Sequence, residues 1–333
     1  DMNYKKFYSS NILHLPKGVQ TIKSGKSEEG SRSFASAPNR KMDTLYNIFC
    51  DKADNKELFY SSFNAATGGK GLEIKRITTL HSSSLLGLLL FWKVSEEHPI
   101  SISRTKYTKV FFEMESRVLG SNSSIDVLLV SEDKSTLLYL ELKFTEILSP
   151  SKHYWADEKY YRLYEELEQL GILNRIGLNL GSVEERKHKK DGEPAESTYE
   201  FKIELPNNER QYLGGIKQMI SHSIGMAQGL AENYENELKD YLGGAEINDR
   251  ILGTVIFDFG NKIDTFYSDN YKAFYHKAFG DDTIIKTIFS NQEFDIKHPE
   301  FKVLDEPLTY QQIVKDNPQF PFGDAVLDYY GLR

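Results

Sequence analysis

The sequence predicts an α/β protein, a mixed central β-sheet flanked by helices, with N- and C-terminal additions around one core. Three observations carry that prediction. Residues 125–130 and 137–144 are short apolar runs separated by a polar stretch, Ser131 to Ser135, the pattern of two strands joined by a turn. Ile251 to Phe259 is apolar almost without interruption, as an interior strand is. Around these runs lie longer segments whose apolar residues recur at helical spacing. The expected organisation is an N-terminal extension over 1–70, a core over 71–275 and a C-terminal extension over 276–333.

From the N-terminus, residues 23–40 are rich in Ser, Gly, Lys and Glu and read as a loop. Met42 to Phe49 reads as a helix capped by Asp43, with Leu45, Ile48 and Phe49 on one face. Thr67 to Gly71 is a basic turn without the spacing of a nucleotide-binding phosphate loop. Leu80 to Val94 is a buried helix, with Ser82 to Ser84 supplying its cap. Val110 to Glu115 is the first core strand. A helix is predicted over Trp155 to Leu170, ended by Gly171. Glu184 to Glu200 reads as an exposed loop or hairpin tip, and Gln211 to Leu230 as a helix introduced by Pro206. Thr309 caps a short helix over Tyr310 to Lys315, and Tyr329 and Tyr330 make a C-terminal aromatic patch.

Candidate chemistry concentrates in 124–145. Side chains alternate along a strand, so Leu138, Leu140, Leu142 and Phe144 share one face and Tyr139, Glu141 and Lys143 the other. Pairing with the preceding strand brings Asp126 close to Glu141 and Lys143. Two carboxylates held together repel unless a cation lies between them. Hard oxygen ligands with open positions favour Mg²⁺, for which Mn²⁺ substitutes. Such an ion polarises a phosphoryl oxygen and makes phosphodiester hydrolysis feasible near neutral pH. Taken alone, an acid and a lysine two residues apart are also the pattern of a solvated strand face.

These residues resemble the PD-(D/E)xK nucleases, a restriction-endonuclease-like superfamily with an acid at the start of one strand and (D/E)xK on the next. The matching positions are Asp126 and Glu141-Leu142-Lys143. His81-Ser82-Ser83 before an apolar helix, Phe112-Glu113, Ser124-Ile125-Asp126 and Glu141 to Glu146 follow the order of a bacterial restriction or defence branch, over residues 75–260. The resemblance implies a Mg²⁺-dependent endonuclease acting on DNA. Asp126, Glu141 and the Leu142 carbonyl would hold the metal, and Lys143 would position or activate water. The chain departs from the family's pattern in two places. No proline precedes Asp126, and the helix that often adds an acid reads Ser82-Ser83-Ser84, so Glu113 is expected as the third acid. Lys217 and Gln218, with Lys187 and Lys189 from the basic stretch Arg186 to Lys190, are candidate nucleic-acid contacts. His222 is expected on the same helix face as a general base or a hydrogen-bonded structural residue. Cutting both strands of a duplex calls for a homodimer. The alternative is an inactive nuclease-like fold that binds nucleic acid or protein.

Composition narrows the classes. A chain of 333 residues, 39% hydrophobic, can bury a large core. A single cysteine, Cys50, excludes an internal disulfide and a Cys-based zinc site. No apolar run approaches the roughly 18 residues of a membrane span, so no membrane partner and a cytoplasmic location are expected. The net charge of −8 argues against a nucleic-acid coat protein. Residues 1–110 nevertheless hold 17 Lys and Arg against 10 Asp and Glu, while the remainder hold 24 against 39. Charges act over about 10 Å in salt, so a local basic face counts for more than the total.

Overall fold

A computed structural model describes residues 38–67, 82–144, 146–148, 150–188, 196–259 and 266–332. Three helices come first: α1 (Pro38–Phe49), α2 (Lys56–Ala66) and α3 (Ser83–Phe91). Strands β1 (Ile100–Ile102), β2 (Thr105–Val118), β3 (Ser121–Ser131), β4 (Thr136–Lys143) and β5 (His153–Asp157) follow. Next are α4 (Tyr161–Gln169), α5 (Ile172–Ile176), β6 (Asn179–His188), β7 (Glu196–Glu204), α6 (Leu213–Gln228), α7 (Glu232–Leu242) and β8 (Asp249–Ile256). The chain closes with α8 (Phe266–Phe279), α9 (Thr283–Ser290), β9 (Lys302–Val303), β10 (Leu308–Thr309), α10 (Tyr310–Asp316) and α11 (Asp324–Tyr330).

The central sheet has the order β1-β2-β3-β4-β8-β10, with β9 also paired to β8. Strands β1 to β4 are antiparallel, whereas β4, β8 and β10 run parallel. Helices flank this mixed sheet, so the protein is α/β, as its patterning required. Strand β8 lies inside the sheet, which is why its run carries no alternating polar face.

Every residue of β4 is buried, so helices cover both faces of the sheet at its centre. On one face α3 packs directly, and it is apolar all round from Leu85 to Phe91. A Cβ placed on Gly87 would lie 2.1 Å from Leu142 Cδ1, so the absence of a side chain there sets the approach of helix to strand. Ser82 caps α3, its Oγ accepting from the Leu85 N–H at 3.2 Å. The opposite face, carrying Glu141 and Lys143, lies beneath α6.

Three elements differ from their sequence reading. The first core strand extends well beyond 110–115 to become β2. The helix expected over 155–170 is divided, because Tyr154 and Ala156 are buried while His153 and Asp157 are exposed, a period of two that makes 153–157 a strand. Only from Tyr161 does the helical stripe take over. Residues 184–188 and 196–200 pair as the ends of β6 and β7, the hairpin among the two readings of that stretch, and β5-β7-β6 form a separate antiparallel sheet. Residues 38–40 of the loop predicted over 23–40 belong to α1, so Asp43 lies within that helix and does not cap it; the rest of that loop, and 68–71 of the predicted turn, lie outside the described residues. One apolar core runs from Met42 to Leu332 and includes helices of both predicted extensions. These extensions touch, with the Phe49 and Tyr329 rings 5.6 Å apart. Among the described residues no helix is long and apolar enough to cross a membrane.

Candidate functional site

The strand pair β3–β4 builds the site from its register. Val127 faces Leu140, which leaves Asp126 one step further along, at the end of β4 that carries Glu141 to Lys143. The Leu142 N–H donates to Asp126 Oδ2 at 2.6 Å and fixes that carboxylate against the Glu-Leu-Lys tripeptide. Burial raises the Asp126 pKa well above the ordinary carboxylate value, and the Glu141 charge raises it further against the pull of Lys143. Asp126 is nevertheless partly exposed, as are Gln218 and Glu146, around a buried Glu141–Lys143 floor.

Glu141 is held by three side chains. Lys143 Nζ donates to its Oε1, Gln218 Nε2 donates to the same oxygen at 2.7 Å, and His222 Nε2 lies 2.7 Å from Oε2. Burial alone would raise its pKa, but the charges of Lys143 and His222 prevail and hold it down to about 2. Lys143 shows the same competition from the other side. Burial would lower its pKa, and Glu141, with weaker help from Asp126 and Glu146, carries it well above the ordinary lysine value. Gln218 and His222 stand four residues apart on α6, so both fall on the helix face turned to the sheet. Nδ1 of His222 lies 3.4 Å from Ser123 Oγ, and Thr254 Oγ1 on β8 donates to the Glu141 carbonyl at 3.0 Å.

The position of Glu113, expected as the third acid, follows from the pairing of β2 with β3. Glu113 lies between the pairs Phe112–Val127 and Met114–Ile125, level with Asp126, with a left-handed φ of +51°. Its charge falls on Tyr234 of α7, whose phenol is raised by burial and then by Glu115, Glu113 and Glu237. The carboxylates that act most strongly on Asp126 are Glu141 and Glu146. Among the described residues no group of three or more His, Cys, Asp or Glu is arranged to hold a metal ion.

The expected nucleic-acid contacts separate. Gln218 belongs to the site through Glu141. Lys217 turns away, donating to the Trp155 carbonyl at 2.5 Å on the smaller sheet. Lys187 is exposed on β6, and Lys189 lies outside the described residues. The sequence reading missed three tyrosines, Tyr212, Tyr271 and Tyr310, all raised by burial and all within the field of Glu141 and Lys143. Gly215 on α6 makes room for two of them, since a Cβ there would meet Tyr271 Oη at 2.2 Å and the Tyr212 ring at 2.9 Å. Set against models of known families, characterised proteins and solved structures, the chain finds no match.

Proposed function

We propose that this chain is a Mg²⁺-dependent nuclease that hydrolyses phosphodiester bonds of DNA. The observation that carries the reading is the convergence of Asp126, Glu141 and Lys143 at the carboxyl end of β4, beside a parallel neighbour strand. Ligands of open α/β sheets collect at such strand ends. Counting Glu146, three carboxylates share this region with Lys143 and His222, and a divalent cation would relieve the repulsion among the acids. Hard carboxylate oxygens suit Mg²⁺ or Mn²⁺. Asp126 and Glu141 would hold the ion together with the Leu142 carbonyl, and when bound it supplies Lewis-acid polarisation of a phosphoryl oxygen.

The chain's own residues do the rest. Leu142 N–H keeps Asp126 in place, while Gln218 and His222 keep Glu141 from turning away. Lys143 positions water and neutralises charge on the pentavalent phosphorus. Water oxygen adds to phosphorus, the bond to the leaving oxygen breaks, and a proton passes to that oxygen. Purified protein with Mg²⁺ is expected to cut plasmid DNA, and Asp126→Ala to lower the rate by several orders of magnitude. Undiminished Mg²⁺-dependent cutting by Asp126→Ala sinks the assignment. Single strands, junctions and RNA in the same assay identify the preferred substrate.

One observation favours a second reading, an inactive nuclease-like fold acting as a binding module. The three groups on Glu141 already compensate its charge without a cation. Calorimetry separates the two, because an inert pair takes up no Mn²⁺ in a manner that depends on Asp126.

A further inference from the structure

Glu146 follows Lys143 by three residues and opens the short 3₁₀ turn Glu146–Leu148 that leaves β4. It is held from two sides. The Phe144 N–H donates to its Oε2 at 2.6 Å, and Ser83 Oγ, in the first turn of α3, donates to its Oε1 at 2.9 Å. Each oxygen has spare acceptor capacity, and the side chain is partly exposed.

A second observation lies across from it. Tyr310 is fully buried, and its hydroxyl has no hydrogen-bond partner among the described residues. Its place follows from the sheet. Lys143 pairs with Ile256 on β8, Ile256 pairs with Thr309 on β10, and Tyr310 is the next residue. The charges that reach its phenol are those of Glu146 and Asp126, then Lys143 and Glu141. A buried polar group of this kind calls for a ligand oxygen, and a water needs two or more polar partners to be held.

We propose that Glu146, fixed by Ser83 and the Phe144 N–H and near the buried Tyr310 hydroxyl, is the carboxylate that orients the attacking water, taking the third-acid place for which the sequence offered Glu113. This rests on the nuclease reading above. Glu146 accepts a hydrogen bond from the water without binding the cation directly. Ser83 is then a positioning residue, supplying from α3 a hydroxyl that aims the carboxylate.

The test uses the full chain, a plasmid-cleavage assay in Mg²⁺, Mn²⁺ titration calorimetry and thermal melting. Glu146→Gln is expected to lower kcat by about 100-fold, the scale of a misplaced reactant, while Mn²⁺ affinity stays within about threefold of wild type. Ser83→Ala should lower kcat without raising KM, and Ser83→Thr should restore it. Glu146→Gln that cleaves like wild type overturns the proposal. So does a fall in Mn²⁺ affinity parallel to the fall in kcat, which makes Glu146 a ligand. If Glu146→Gln fails to fold, the Ser83 pair decides, and equal rates for Ser83→Ala and Ser83→Thr overturn the role. A wild-type protein that neither binds Mn²⁺ nor cuts nucleic acid rejects the nuclease reading itself.

Discussion

Glu141 and Asp126 sit side by side, yet the protein treats them oppositely. Glu141 is charged and paired with Lys143, whereas Asp126 resists ionisation through burial and its neighbour's charge. A carboxylate whose folded pKa lies below its unfolded value stabilises the fold above the unfolded value and loses that contribution as pH falls through the folded one. For Glu141 the window runs from 4.5 down to about 2. Denaturant unfolding should therefore show wild type losing more stability than Glu141→Gln between pH 5 and pH 2.5; parallel curves refute it. Asp126 has the opposite sign, since protonation relieves its strain as pH falls through its raised value. Glu141→Ala should cost about 3–5 kcal/mol, because it strands a buried ammonium. Asp126 is for that reason the cleaner position at which to test activity.

At the scale of elements, the contact of α3 with β4 is set by Gly87. A methyl group there collides with Leu142 Cδ1, between a helix buried from Leu85 to Phe91 and a strand buried throughout. Gly87→Ala is expected to destabilise by about 1–3 kcal/mol, the usual penalty of overpacking, read as a lower denaturant midpoint. Activity should fall as well, since Leu142 N–H holds Asp126 and α3 carries Ser83. A midpoint equal to wild type means the interface yields more readily than its distances imply. The elements also mark where sequence reading succeeds. β4, β8 and α3 were legible because long apolar runs bounded by polar turns admit few alternatives. β5 was not, because five residues of alternating burial run into the aromatic stripe of α4 and the two periods merge.

Across the whole molecule, acids and their partners are gathered from α3, β3, β4, α6, β8 and α10. On the nuclease reading proposed above, a divalent ion bound at this site would stabilise the fold by mass action, by about 2.7 kcal/mol at a hundredfold excess over Kd. Mn²⁺ should raise the melting temperature of wild type and leave that of Asp126→Asn unchanged. Without metal, Asp126→Asn should melt at or above wild type, as expected when a strained functional acid becomes a neutral isostere. An Asp126→Asn protein that still responds to Mn²⁺ places the ion elsewhere.

The sequence by itself determined that the chain would build a mixed sheet around the strands of 125–130, 137–144 and 251–259, and that Asp126, Glu141 and Lys143 would share one end of it. Alternation and apolar run length are local properties, and pairing two adjacent strands needs only a short turn. Tertiary structure alone decided what surrounds those three residues. Gln218 and His222 lie some eighty residues from Glu141, Ser83 lies 63 residues before Glu146, and Tyr310 arrives through β10. No local pattern encodes such distances. They follow from how helices close over both faces of the sheet, and that packing turned Lys217 aside and set Glu146 beside Asp126.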